Sequence, residues 1–161
     1  MQNITSYHEK ILNLNHINKE SLVLDLGANV GDVTSLIYEK YNSHIHCFEP
    51  NISCFKYMQR RFKIITKIRI YNLAVSNFTG KTFLFFHNKS KNITEYNQRS
   101  SIKPDKEGID FNKKVEVNCI DIKELLNKFD KIDLLKIDIE GSEYEIMPEI
   151  IKNRHKIKMV I

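Results

Sequence analysis

The sequence has few cysteines. Cys47, Cys54 and Cys119 are widely spaced and never form C-x-x-C. An odd count without pairing spacing excludes a disulfide framework and a zinc site. The three read as small, partly buried hydrophobes, and no metal is expected. No run approaches the roughly 18 apolar residues of a membrane-crossing helix, so no membrane partner is expected. Met1 to Lys10 is polar and holds no signal-peptide core, which points to a cytoplasmic protein. Asn-x-Ser/Thr triplets such as Asn3-Ile4-Thr5 and Asn92-Ile93-Thr94 then read as chance. The G-x-G-x-x-G fingerprint of the usual dinucleotide fold is also missing.

At 161 residues and 19.0 kDa, with 42% hydrophobic and 28% charged residues, the chain reads as one globular domain spanning 1–161. The net charge of +5 permits nucleic-acid binding but does not require it. Lys and Arg are dispersed, so no nucleic-acid partner is expected. The one dense basic run, Lys152 to Lys158, reads as a solvated helix-to-strand connection.

The organising stretch is Ser21-Leu22-Val23-Leu24-Asp25-Leu26-Gly27-Ala28-Asn29-Val30-Gly31. A short apolar run predicts a buried strand, and Asp32-Val33 begins a helical pattern. Strand, glycine turn and helix N-terminus in succession form the front of a cofactor-binding α/β unit. Gly27 and Gly31 let the backbone turn sharply, and the helix N-terminus attracts an anionic group. Asp25 is expected to face the crevice. The same residues also suit a tight turn with no ligand.

Ser6 to Ile17 has helical spacing, giving an N-terminal helix within residues 1–20. After the glycine turn a helix runs to about Tyr41. His44 to Phe48 is the second strand, with Glu49 at its end. That carboxylate lies 18 residues past Gly31, where it can accept hydrogen bonds from two ribose hydroxyls and repel a 2′-phosphate. Pro50 stops the strand and Asn51 caps a helix to about Phe62. His44 and His46 share a strand face, but two histidines do not make a metal site. Ile68 to Ser76 reads as one strand ending in a small-residue corner, where Ala74 leaves room for a flat ring. Residues 82–120 read as a β extension with a polar loop, His87 to Asp110. Asp121 and Glu124 form a capping-box-like start to a helix reaching about Phe129. A buried strand then ends at Asp138, followed by Glu140, Gly141 and a helix capped by Ser142. Pro148 kinks or splits that helix. Lys156 to Ile161 begins a further strand.

With right-handed crossovers, the first strand sits centrally and the Asp138 strand returns to its free side. Their carboxyl ends then form one crevice at the topological switch point. The expected fold is a three-layer, doubly wound, mainly parallel α/β sheet. Paired acids suit a ligand with hydroxyls and an amine, and S-adenosylmethionine is such a ligand. Asp25, Gly27, Ala28, Asn29, Gly31, Glu49, Pro50 and Ala74 are the candidate cofactor residues. Asp138 and Glu140 are the candidate catalytic residues, one of them taking a proton from an acceptor hydroxyl.

Asp25-Leu26-Gly27-Ala28-Asn29-Val30-Gly31, Phe48-Glu49-Pro50-Asn51, Ala74-Val75-Ser76 and Lys136-Ile137-Asp138-Ile139-Glu140-Gly141-Ser142-Glu143 occur in that order. This ordered set resembles the FkbM-type family of S-adenosylmethionine-dependent methyltransferases. Ser100-Ser101 resembles a serine pair that family carries before its fourth core strand. The resemblance implies a class I methyltransferase fold and O-methylation of a small molecule or sugar. Two departures stand out: Ile52 replaces a second proline, and the chain stops two strands early. The domain is therefore expected to be C-terminally shortened, with an edge that a second copy or a partner covers. Two other readings stay open: a shortened module that binds cofactor without turnover, and an NAD-dependent oxidoreductase. A nucleic-acid methyltransferase lacks support, since no Asn/Asp-Pro-Pro-aromatic or Pro-Cys motif is present.

Overall fold

The computed structural model describes residues 14–87, 100–104 and 107–161. The expected N-terminal helix lies outside these residues except for Leu14 to Ile17, which form a turn. Most of the expected polar loop lies outside them too. The elements in order are β1 (Leu22–Leu26), α1 (Asp32–Tyr41), β2 (His44–Phe48), α2 (Ile52–Arg61), β3 (Ile68–Tyr71), β4 (Ala74–Ser76), β5 (Gly80–His87), β6 (Ile109–Asp121), α3 (Ile122–Leu126), β7 (Leu134–Ile137) and α4 (Glu143–Lys152).

Four parallel strands form the main sheet in the order β3-β2-β1-β7. The near-continuous apolar runs of β1 and β7 suit strands covered on both faces. Val23, Ile45 and Cys47 pack under α1 and α2, against Ile37, Met58 and Phe62. Leu24, Leu26, Phe48 and Leu135 face the other way, onto Ile122, Leu125, Ile146 and Ile150 of α3 and α4. The result is the expected three-layer arrangement, with the switch point between β1 and β7. Residues 156–161 run beside β7 through parallel bridges Ile132–Ile157 and Leu135–Val160.

The stretch expected as one third strand is two. Asn72 interrupts it, its Nδ2 donating to the carbonyls of Glu49 (2.9 Å) and Pro50 (2.8 Å). β4 leaves for a second sheet of order β4-β6-β5, in which β5 and β6 pair antiparallel. α3 ends at Leu126 rather than Phe129. α4 runs unbroken through Pro148, and the Ser142 side chain makes no capping bond. His46 belongs to the core layer, its ring beside Tyr71 and Phe129. Burial pushes it down to about 4, so it stays neutral near pH 7. Among the described residues no helix is long and apolar enough to cross a membrane.

Candidate functional site

The carboxyl ends of β1, β2 and β7 open onto a cavity of about 960 Å³, the position where open α/β sheets bind ligands. Gly27, Ala28 and Asn29 form its wall after β1, and Glu49 and Pro50 after β2. Ala74 lines it from β4, and Asp138 and Glu140 from the end of β7. These groups are drawn together from across more than a hundred positions of sequence.

Asp25 and Gly31 lie elsewhere. Asp25 sits on the α1 side of β1 with no exposed surface. Its Oδ2 accepts from the Thr34 hydroxyl at 2.7 Å, and its Oδ1 pairs with the Lys136 ammonium at 2.9 Å. The reason is strand alternation: Asp25 shares a face with Val23, which packs under α1. The carboxylate therefore points beneath the crevice instead of into it. Gly31 adopts φ 82°, and a Cβ there would lie 2.6 Å from the Phe62 ring. Its missing side chain makes room for Phe62.

The turn after β1 is held from outside itself. Gly27 and Ala28 both donate backbone N–H bonds to the Phe48 carbonyl, at 2.9 and 3.1 Å. Glu49 Oε2 accepts the Asn29 N–H at 2.8 Å while its Oε1 accepts the Asn51 N–H at 2.7 Å. One carboxylate thus ties the glycine turn to the start of α2, where Asn51 caps Ser53 as expected from its side chain. Asn29 takes φ 52°, a left-handed conformation that asparagine tolerates. Glu49 is only 6% exposed. Burial pushes its carboxyl up to about 7, against the downward pull of its two amide donors and of Lys136.

The turn after β7 is held locally. Glu143, the first residue of α4, accepts the Ile139 N–H (3.1 Å) and the Gly141 N–H (2.8 Å). Glu140 adopts φ 59°. Its carbonyl accepts the hydroxyl of buried Ser101 at 2.7 Å, and Ser101 also exchanges backbone bonds with Phe85. Lys103 pairs with Glu145 on α4, closing the same corner. The Asp138 side chain is 62% exposed. Partial burial raises its carboxyl, Lys136 opposes the rise, and Glu140, Asp25 and Glu143 add to it. Solvent screens that shift. The residue pattern alone gave no role to Lys136 or Glu143, and only the family resemblance pointed to Ser101. A carboxylate directly after Gly141-Ser142 was the one readable signal for Glu143.

A family model for the FkbM methyltransferase domain matches residues 25–161. The chain belongs to the FkbM methyltransferase family. The family draws its methyl group from S-adenosylmethionine. No curated protein matches this FkbM-family chain. Among solved structures, the chain resembles a precorrin-6y C5,15-methyltransferase from Geobacter metallireducens GS-15. That match has a TM-score of 0.51 and 12% identity, and covers 94% of this chain and 56% of the other. It also resembles an rRNA methylase from Streptococcus thermophilus, with a TM-score of 0.50, 10% identity, and coverage of 92% and 63%. A geranyl diphosphate methyltransferase matches over 42% of this chain and 26% of its own, at a TM-score of 0.37 and 13% identity. The FkbM-family chain spans less than two thirds of the length of each of these proteins. The first two likenesses establish a class I methyltransferase-like α/β fold.

Proposed function

We propose that this chain transfers a methyl group from S-adenosylmethionine to a hydroxyl of a small molecule or sugar. The carrying observation is one cavity lined by the Gly27–Asn29 turn, Glu49, Asp138 and Glu140 together. The residues fit the cofactor. Its volume of about 960 Å³ suits a ligand of this size. Each Glu49 oxygen accepts one backbone N–H, which leaves a lone pair on each for the two ribose hydroxyls. Ala74 offers little bulk beside Leu73 and Val75 on the apolar wall, as a flat ring requires.

When bound, the cofactor supplies a methyl group already activated on a sulfonium. The protein's part is then mainly positioning. Glu49 and the turn fix the donor end. Asp138, with its side chain exposed in the cavity and raised in proton affinity, takes the proton from the acceptor hydroxyl at its carboxylate oxygen. Glu140 stands beside it and orients the acceptor.

Calorimetric titration with S-adenosylmethionine, S-adenosylhomocysteine and NAD tests the cofactor half. Micromolar binding of the first two and none of NAD is expected. Binding of NAD alone sinks the reading in favour of an oxidoreductase. Glu49→Ala should weaken S-adenosylhomocysteine binding by about 1–3 kcal/mol, and unchanged affinity would remove Glu49 from the ribose. Asp138→Asn should leave that affinity nearly intact, and its loss would place Asp138 on the cofactor instead.

A further inference from the structure

Lys136 is 2% exposed, one of the few buried cations a strand can carry. It stands opposite Asp25 in the β1–β7 register. Its ammonium lies 2.9 Å from Asp25 Oδ1, 3.0 Å from the Gly27 carbonyl oxygen and 3.9 Å from Asp138 Oδ2. An ion pair alone gives little reason for burying a lysine here, because a well-packed apolar pair of similar volume is commonly as stable. The contact an apolar pair cannot supply is the one to Gly27.

That contact acts on a single peptide group. The Gly27 carbonyl accepts from Lys136 on β7, while the N–H of the same peptide, on Ala28, donates to Phe48 at the end of β2. The peptide plane is held from both sides by two different strands. Gly27 itself has φ 77°, a conformation glycine leaves at little cost. Its orientation is therefore set by these partners and by the Asp138 backbone. A Cβ on Gly27 would come within 1.9 Å of the Asp138 carbonyl oxygen.

We propose that Lys136 is a positioning residue: it fixes the Gly27–Ala28 peptide, and with it the turn that receives the cofactor, relative to the Asp138 end of β7. The proposal rests on the cofactor reading above. Because the same ammonium neighbours Asp138, donor turn and acceptor-side acid share one anchor.

Lys136→Met alone strands a buried Asp25 charge and destabilises the protein for that reason. The experiment therefore starts from Asp25→Asn, in which Thr34 keeps an oxygen to donate to. Whatever Asp25→Asn does by itself, adding Lys136→Met is expected to weaken S-adenosylhomocysteine binding a further tenfold or so. The Ala28 amide should exchange faster, and the melting temperature should move by less than about 4 °C. Equal affinity and equal Ala28 exchange in the two variants overturn the proposal. If the double variant does not fold, nitrogen-15 spectra of the unsubstituted protein decide. A slowly exchanging Lys136 ammonium signal that shifts on saturation with S-adenosylhomocysteine is expected, and an unmoved signal overturns the role. An unsubstituted protein that binds no S-adenosylhomocysteine refutes the cofactor reading instead, and the Ala28 comparison still decides whether Lys136 clamps the peptide.

Discussion

The turns after β1 and after β7 stand side by side, both lining the cavity, and are built alike. Each holds a non-glycine residue in the left-handed region, Asn29 at φ 52° and Glu140 at φ 59°. Each has one carboxylate accepting two backbone N–H bonds, Glu49 in the first and Glu143 in the second. They differ in where that carboxylate comes from. Glu49 is buried and arrives from the next strand, twenty residues from Asn29. Glu143 belongs to the helix that its own turn leads into. The first turn is tied to β2 and α2 through Phe48 and Glu49, and to β7 through Lys136. Beyond Asp138, which bonds Leu26, the second is tied to α4 and Ser101. The carboxylate that braces the first turn is therefore held by another strand, and the one that braces the second by its own helix.

The largest effect should come from Gly27→Ala. The new methyl group meets the Asp138 backbone and sits on a left-handed residue. A loss of about 3 kcal/mol or more is expected in urea unfolding. A stable variant would mean that the β1 turn is as adaptable as its counterpart.

A second test uses pH. The folded-state carboxyl of Glu49 is raised from about 4.5 to about 7, so the native protein binds more protons than the unfolded chain between those values. Its contribution to stability is fully present below about pH 4.5 and is lost as pH rises through about 7. With Glu49 on the ribose as proposed, cofactor binding uses the ionised form and should strengthen over the same interval. Thermal melts and calorimetry across pH 5 to 8 should thus run in opposite directions, with protons released on binding. Replacing Glu49 by Gln should abolish that opposition.

The smallest effect compares the two left-handed residues. Glu140→Gly should raise stability by up to about 1 kcal/mol, because glycine removes the Cβ conflict. Asn29→Gly should change it by only a few tenths, since asparagine already tolerates the conformation. Equal shifts in chemical denaturation would show the two turns to be equally strained.

Much of this was legible in the sequence because it depends on local spacing. The apolar runs of β1, β2 and β7, the Gly27 turn and the Asn51 cap all follow from patterns within about a dozen residues, and the handedness of crossovers then puts β7 beside β1. What was not legible depends on which face a side chain takes and what it meets from afar. Asp25 read as a crevice residue because the end of its strand is there, but alternation turns it under α1. Gly31 read as a ligand approach, and its real neighbour is Phe62, thirty-one positions away. The expected capping box at Asp121 forms only in part. Its side chain caps Lys123, but Glu124 bonds Thr79, and Thr79 accepts the Asp121 N–H in its place. Asn72 breaks a strand through two carbonyls of another turn, which no periodicity announces.

The pairing of the first core strand with the last has a consequence in time. Leu22 donates its N–H to Asp133, and Asp25 meets Lys136, each across 111 positions of chain. Closing a loop of that size costs more chain entropy than forming the nearer β1–β2 and β2–β3 pairs. Until it closes, the Gly27 carbonyl has no Lys136 ammonium to meet and the cavity lacks the lining given by Asp138 and Glu140. A growing chain on the ribosome can build half a sheet and still be blind to its ligand. On the proposed reading, a ligand in this cavity stabilises only molecules in which β7 has already docked on β1.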